Sequence, residues 1–251
     1  MIALIADIHG NLPGLEAVLK DIEHVGAERV VCLGDVANFG PQPREALASV
    51  KALGCPVVMG NTDAALLEPR QRDEVTGEDA QLIFDVEAWC AEQVEEDDRA
   101  FVRTFEPTLR SEEEGTSLLC FHGSPKSFND VIVATTPDET LDDLFADELA
   151  SGRAQMMAGG HTHTQLLRRY KEGFLINPGS VGLPFAFFEG AAGAAHPHWA
   201  EYALLDVVQG QPSLTFRRVP YDIAPLVNAA RESGMPHAEA WLAGWLEARP
   251  S

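Results

Sequence analysis

Basic residues are scarce in this chain. Its 18 lysines and arginines stand against 39 aspartates and glutamates, a formal net charge of −21. A field of that sign repels polyanions, which excludes tight nonspecific binding to nucleic acid or to anionic membrane surfaces. Small anionic substrates remain admissible, because bound cations reverse the field locally. No apolar run approaches the roughly 18 residues of a membrane span, and no basic segment leads into a long apolar stretch at the N-terminus. No membrane partner is expected, and the expected compartment is the cytoplasm. Only four cysteines occur, Cys32, Cys55, Cys90 and Cys120, without paired spacing, so they read as free thiols in a reducing environment rather than a disulfide framework. The pattern G-x-x-x-x-G-K-[ST] is missing, which leaves a nucleotide kinase or ATPase unsupported. Repeats, low-complexity tracts and linkers are missing too. The 251 residues are expected to form one domain, 1–251, with a helical insert at about 64–110.

What the chain does have is a series of short apolar runs, each ending in a glycine-flanked polar cluster. Residues 2–6, 30–33, 56–59, 118–120 and 156–158 read as buried strands. The clusters that follow them are Asp7-Ile8-His9-Gly10-Asn11, Gly34-Asp35, Gly60-Asn61-Thr62-Asp63, Phe121-His122-Gly123 and Gly159-Gly160-His161-Thr162-His163. In open α/β sheets ligands gather at the carboxyl ends of strands, so the clusters are expected to meet on one rim.

Helical spacing of Leu12, Leu15, Val18, Leu19 and Ile22 predicts a first helix, capped by Asn11 with Pro13 in its first turn. A second is expected from Pro43, stopped by Gly54. Between 64 and 110 the pattern is helical, with an apolar stripe through Leu82, Val86, Trp89 and Cys90. A helix after Pro137 is expected to turn Leu141, Leu144, Phe145 and Leu149 inward. Strand signals at 174–176, a hairpin over 202–219 and two closing helices complete an α/β chain.

The donors in these clusters are carboxylate, imidazole and amide, with no thiolate. Asp7, His9, Asp35, Asn61, His122, His161 and His163 suit two divalent ions, Mn²⁺ first, with Fe, Zn²⁺, Co²⁺ or Ni²⁺ also compatible. Asp35 is the natural bridge. A lone loop histidine is more often an ordinary polar residue, but four of the eight histidines here follow apolar strands. His24 and His237 read as surface residues, and His196 and His198 as solvent-exposed loop residues.

These motifs, together with Asn177-Pro178-Gly179-Ser180-Val181-Gly182, resemble the calcineurin-like metallophosphoesterase family, in its small bacterial and archaeal phosphodiesterase branch. The resemblance implies a four-layer αββα sandwich of two mixed sheets between helices. It implies Asp7, His9, Asp35 and His163 on one metal and Asp35, Asn61, His122 and His161 on the other. It further implies hydrolysis of a small soluble phosphate ester, a diester before a monoester, by in-line attack of a metal-bridging hydroxide. Asp35, Asn61 and His122 are the expected catalytic residues, and Asn11, Phe39 and Thr62 the expected substrate contacts. Thr62 stands where much of the family has a histidine, and its hydroxyl has too high a pKa to act as an acid near neutrality. Phe185, Phe187 and Phe188 stand where the branch often has an arginine, and with Phe39 they offer an apolar wall. The alternatives are a phosphomonoesterase acting on nucleotides or phosphoproteins, and a non-catalytic metal-binding module. A homo-oligomer is kept open.

Overall fold

The first strand shows how the layers arise. In β1 (Ile2–Ile5) every residue is buried, because both of its faces are covered. Ala3 and Ile5 join one core while Ile2 and Leu4 join another, as the period of two in a strand requires. The computed structural model describes residues 1–77, 79–151, 155–186 and 195–246. After β1 come α1 (Leu12–Val25), β2 (Arg29–Cys32), α2 (Pro43–Leu53), α3 (Asn61–Leu67), α4 (Ala80–Gln93) and α5 (Glu96–Val102). Next are β3 (Leu109–Glu113), β4 (Thr116–Cys120), α6 (Asp138–Leu144), α7 (Ala146–Ser151), β5 (Met156–Ala158), β6 (Leu166–Tyr170) and β7 (Gly173–Asn177). The hairpin of β8 (Trp199–Val208) and β9 (Gln211–Pro220) precedes α8 (Ala224–Glu232) and α9 (Ala238–Leu246).

The strands form two mixed sheets, ordered β2-β1-β8-β9 and β3-β4-β5-β7-β6. In the first, β1 runs parallel to β2 and antiparallel to β8. In the second, β4, β5 and β7 are parallel, with β3 and β6 antiparallel at the edges. Leu4, Leu118, Met156, Ile176 and Leu205 share the core between the sheets. The outer face of the first sheet packs Ile5 and Tyr202 against Leu15 of α1, Leu47 of α2, Cys90 of α4 and Leu242 of α9. The outer face of the second packs Leu119, Met157 and Leu175 against Leu141 and Phe145. The order helix, sheet, sheet, helix is the αββα sandwich.

The helix ends follow their side chains. Asn11 Oδ1 accepts the Gly14 N–H at 2.9 Å, and Gly26 closes α1 in the left-handed conformation. Gly54 ends α2 in the same way.

Four expectations need correction. Residues 56–59 do not form a strand of their own: Val57 and Val58 make single parallel bridges, to Cys32 and Glu106, since Pro56 has no N–H and the chain turns at Gly60. The helical stretch ends before Leu109, where β3 begins; β3 and β6 are sheet edges along which half-buried and exposed residues alternate. Leu149 is exposed, because a break at Phe145 rotates α7 away from the face that α6 buries. His196 and His198 are half-buried against α9, their rings bonded to the carbonyls of Pro184 and Trp245.

Candidate metal centre

The carboxyl ends of β1, β2, β4 and β5 lie side by side, and the loops leaving them are laced together by backbone bonds. Asp7 N–H donates to Gly34 O at 3.0 Å, Ile8 N–H to Asp35 O at 2.8 Å, and Gly160 N–H to His122 O at 2.9 Å. The lacing brings the donors into two triads. Ligand atoms of Asp7, His9 and His163 lie within 4.8 Å of one another, and so do those of Asp35, His122 and His161. Asp35 stands between the triads, its Oδ2 3.7 Å from His9 Nε2 and 3.4 Å from His122 Nε2. Asn61 joins the second triad with Oδ1 3.0 Å from His122 Nε2.

Hydrogen bonding at the far side of each ring decides what the near side can hold. His9 Nδ1 lies 2.8 Å from Asn38 O, His163 Nδ1 2.9 Å from Leu183 O, and His122 Nδ1 2.7 Å from Leu33 O. A carbonyl only accepts, so each Nδ1 carries a proton, and the rings of His9 and His163, which burial keeps neutral, turn the lone pair of Nε2 inward. His9 Nε2 and His163 Nε2 then face each other at 3.1 Å with no proton to share. Two lone pairs at that distance, beside the Asp7 carboxylate, call for a cation. The pair of divalent ions that the residue types suggest fits this donor set.

The charges agree. Burial drives Asp7 well above the usual carboxylate range, and Asp35 nearby adds to it. Burial lowers His9 and, more strongly, His163. Burial also works against a charge on His122, yet the Asp35 and Asp7 carboxylates push it up to about 10. Asp35 is held far below its ordinary value despite burial, chiefly by His122. Without a metal, a proton on His122 serves as counter-ion to the Asp35 carboxylate, 3.4 Å away.

Backbone strain is concentrated here. Asp7, His9, Asp35, Phe39, His161 and His163 all adopt positive φ, between 48° and 72°. Non-glycine residues avoid that region, and their clustering at one rim is the pattern of a functional site. Gly60 serves the same end by having no side chain: a Cβ there would lie 2.1 Å from Asp35 Oδ1.

Bracing residues that the sequence reading missed hold the triads. Asp63 is fully buried and accepts the N–H groups of Asp35, Val36 and Gly60 at 2.7, 2.9 and 3.2 Å. Burial, then the Asp35 charge, lifts Asp63 to about 7. Asn38 Nδ2 donates to Thr62 O, Asn177 Nδ2 to Gly160 O, and Ser180 Oγ to Asp7 O. Polar residues inside glycine-bounded turns were the available signal for them.

The expected substrate contacts fare differently. Asn11 is fully buried and spent on structure: Oδ1 caps α1 and Nδ2 donates to Gly182 O and Tyr221 Oη at 2.9 and 2.8 Å. That is a correction, since no donor is left for a ligand. Phe39 stands edge-on to His9, with centroids 6.4 Å apart, and Phe185 stacks on His163 at 5.1 Å. Phe187 and Phe188 lie outside the described residues. Thr62 N–H donates to Asp35 Oδ1 at 2.9 Å, while its buried hydroxyl has no hydrogen-bond partner among the described residues.

Two mixed sheets with a nitrogen and oxygen donor set at their shared rim define a metal-dependent hydrolase. The sequence profile of the calcineurin-like phosphoesterase superfamily domain matches residues 1–210, and the chain belongs to that family of phosphoester hydrolases. An uncharacterised protein of Methanocaldococcus jannaschii is 29% identical over 199 residues, covering 73% of this chain and 77% of that one. The phosphodiesterase YfcE of Escherichia coli is 29% identical over 181 residues, covering 71% and 78%. Among solved structures, a hypothetical protein of Pyrococcus horikoshii OT3 superposes with a TM-score of 0.79 at 22% identity over 98% of both chains. A metallophosphoesterase from Sphaerobacter thermophilus superposes at 0.71 with 25% identity, over 97% of this chain and 98% of that one.

Proposed function

We propose that the chain is a phosphodiesterase with a dinuclear metal centre, acting on a small soluble ester. The observation that carries this reading is the opposition of His9 Nε2 and His163 Nε2 at 3.1 Å, both rings locked by backbone carbonyls. Asp7, His9, Asp35 and His163 hold one ion, and Asp35, Asn61, His122 and His161 the other, with Asp35 shared. The donor set suits manganese, or another borderline first-row ion. Two such ions supply Lewis-acid charge and make water a nucleophile near neutral pH.

The chain's own groups orient and brace. Asp63 fixes the backbone that carries Asp35. Thr62 cannot protonate a leaving group, and its buried hydroxyl finds no partner among the described residues. Phe39 and Phe185 border the first triad through their ring contacts with His9 and His163. A diester carries one negative charge where a monoester carries up to two, and a molecule of net charge −21 favours the former.

The test is turnover of bis-aryl and mono-aryl phosphates with Mn²⁺, using Asp35→Asn as the blank. Diester hydrolysis is expected to dominate and to fall by roughly a hundredfold or more in the variant. Comparable turnover from the variant overturns the assignment. Preference for the monoester instead makes the protein a phosphatase.

A further inference from the structure

A cavity of about 530 Å³ has Asn61, the neighbour of the second triad, in its wall. Asn61 belongs to both, since Oδ1 meets His122 Nε2 while the residue lines the cavity wall. Asn129 also lies in the wall. The space borders the centre at Asn61, and its volume falls in the range of small-molecule sites.

Its walls differ from its far end. Met59, Phe105 and Phe128 supply apolar and aromatic surface. Phe105 is buried and fixed edge-on against Phe101, with centroids 5.1 Å apart. Phe128 rides a loop tied by Ser124 Oγ, which accepts the N–H groups of Lys126 and Ser127 at 3.0 and 3.1 Å. At the far end stands Arg70, three residues past the end of α3, the helix that Asn61 opens. Seven helical residues set the two ends roughly 10 Å apart. Arg70 is clamped by buried Glu87, with Nε 3.0 Å from Oε2 and Nη2 on Oε1. Among the described residues Nη1 has no partner, so the clamped guanidinium of this lining residue keeps two N–H donors unspent.

The charge there is not that of a phosphate site. Glu87 offsets Arg70, and Glu68 adds a further negative charge to the rim. A second anionic group is disfavoured, whereas a neutral group with acceptors on its edge is matched.

We propose that this cavity binds the organic ester group of the substrate, and that the group is flat, uncharged and edged with hydrogen-bond acceptors, the chemistry of a nucleobase. Its face lies on Phe105 and Phe128, and its edge on Arg70 Nη1. The assignment rests on the phosphoesterase reading for what occupies the metal centre, and it makes Phe128 and Arg70 specificity residues.

The experiment compares thymidine 5′-(p-nitrophenyl) phosphate with methyl p-nitrophenyl phosphate on the Mn²⁺-loaded protein. Both carry one charge and release the same phenol. Binding of thymidine 5′-phosphate and methyl phosphate is measured alongside by calorimetry. The nucleoside ester is expected to show kcat/KM higher by about tenfold, the scale of one base stacking on aromatic rings, and the nucleotide a similarly lower Kd. In folded Phe128→Ala and Arg70→Gln proteins, checked by thermal melting, the ratio between the paired compounds should fall toward one. Equal values for the pair in the unmodified protein, or an intact ratio in both variants, overturns the proposal. Hydrolysis of neither ester with the binding preference retained rejects the phosphoesterase reading and leaves the cavity assignment standing.

Discussion

Asp7 carries the largest burden of any single side chain. It is wholly buried, lies in the left-handed region at φ 55°, and accepts the His161 N–H while facing two imidazoles. Burial penalises its charge, so in the metal-free protein Asp7 works against folding, and only a bound cation turns it into an asset. Asp7→Asn keeps an oxygen for the His161 N–H and removes the charge. With chelator present the variant should melt higher than the parent by roughly 2–4 °C. With Mn²⁺ the order should reverse, because the ion has lost a ligand. Melting curves under both conditions check this, and a parent that melts higher in chelator contradicts it. The donors themselves were legible in the chain because each sits one to five residues past an apolar run, in a cluster that contains glycine. The residues that brace them were not. Asp63, Asn38 and Ser180 act through distances to Asp35, His9 and Asp7, and no spacing along the chain encodes a contact such as that of Ser180 with Asp7.

The element that reaches furthest from its own position is α9. Trp241 and Trp245 pack at 4.3 Å, Trp245 meets His196 at 4.2 Å, His196 meets Phe185 at 5.5 Å, and Phe185 lies on His163. The C-terminal helix is thus in ring-to-ring contact with a metal-ligand candidate. Gly244 permits the approach, since a Cβ there would come 2.4 Å from the His196 ring. Burial holds His196 down to about 4, so the folded protein keeps it neutral while the unfolded chain takes a proton near 6.5. Below 6.5 the unfolded state gains protons first, and stability falls as the pH drops toward 4. Between pH 7 and 4.5 the parent should lose roughly 2 kcal/mol more than His196→Phe, whose ring preserves the stack. Urea midpoints at the two pH values measure the difference, and identical losses refute it. The same helix shows where the sequence pattern was mute. α9 itself was expected, but His196 was read as exposed because nothing in its own stretch announces Trp245. Edge strands β3 and β6 escaped notice for a related reason. Their alternation is diluted by Ser111 and Glu113 at half-buried positions of β3 and by exposed Leu167 and half-buried Arg168 in β6, and only pairing with β4 and β7 gives it meaning.

At the scale of the whole molecule the excess of acid is the dominant feature, and among the described residues no helix is long and apolar enough to cross a membrane. A monoanionic ester approaching a body of charge −21 is repelled until it nears the cations. Raising ionic strength from about 10 to 200 mM with a non-coordinating salt shortens the screening length. It should increase kcat/KM for the diester several-fold while leaving kcat nearly constant. A fall in kcat/KM would mean that the local field of the centre outweighs the rest. The donors, finally, are drawn from Asp7 at one end of the series to His163 at the other, on strands of two different sheets, and the His163 ring is aimed by the Leu183 carbonyl. In a nascent chain leaving the ribosome the first half-site stays unfinished until Leu183 has emerged to aim His163. Capture of a cation there is therefore later than the synthesis of its ligands.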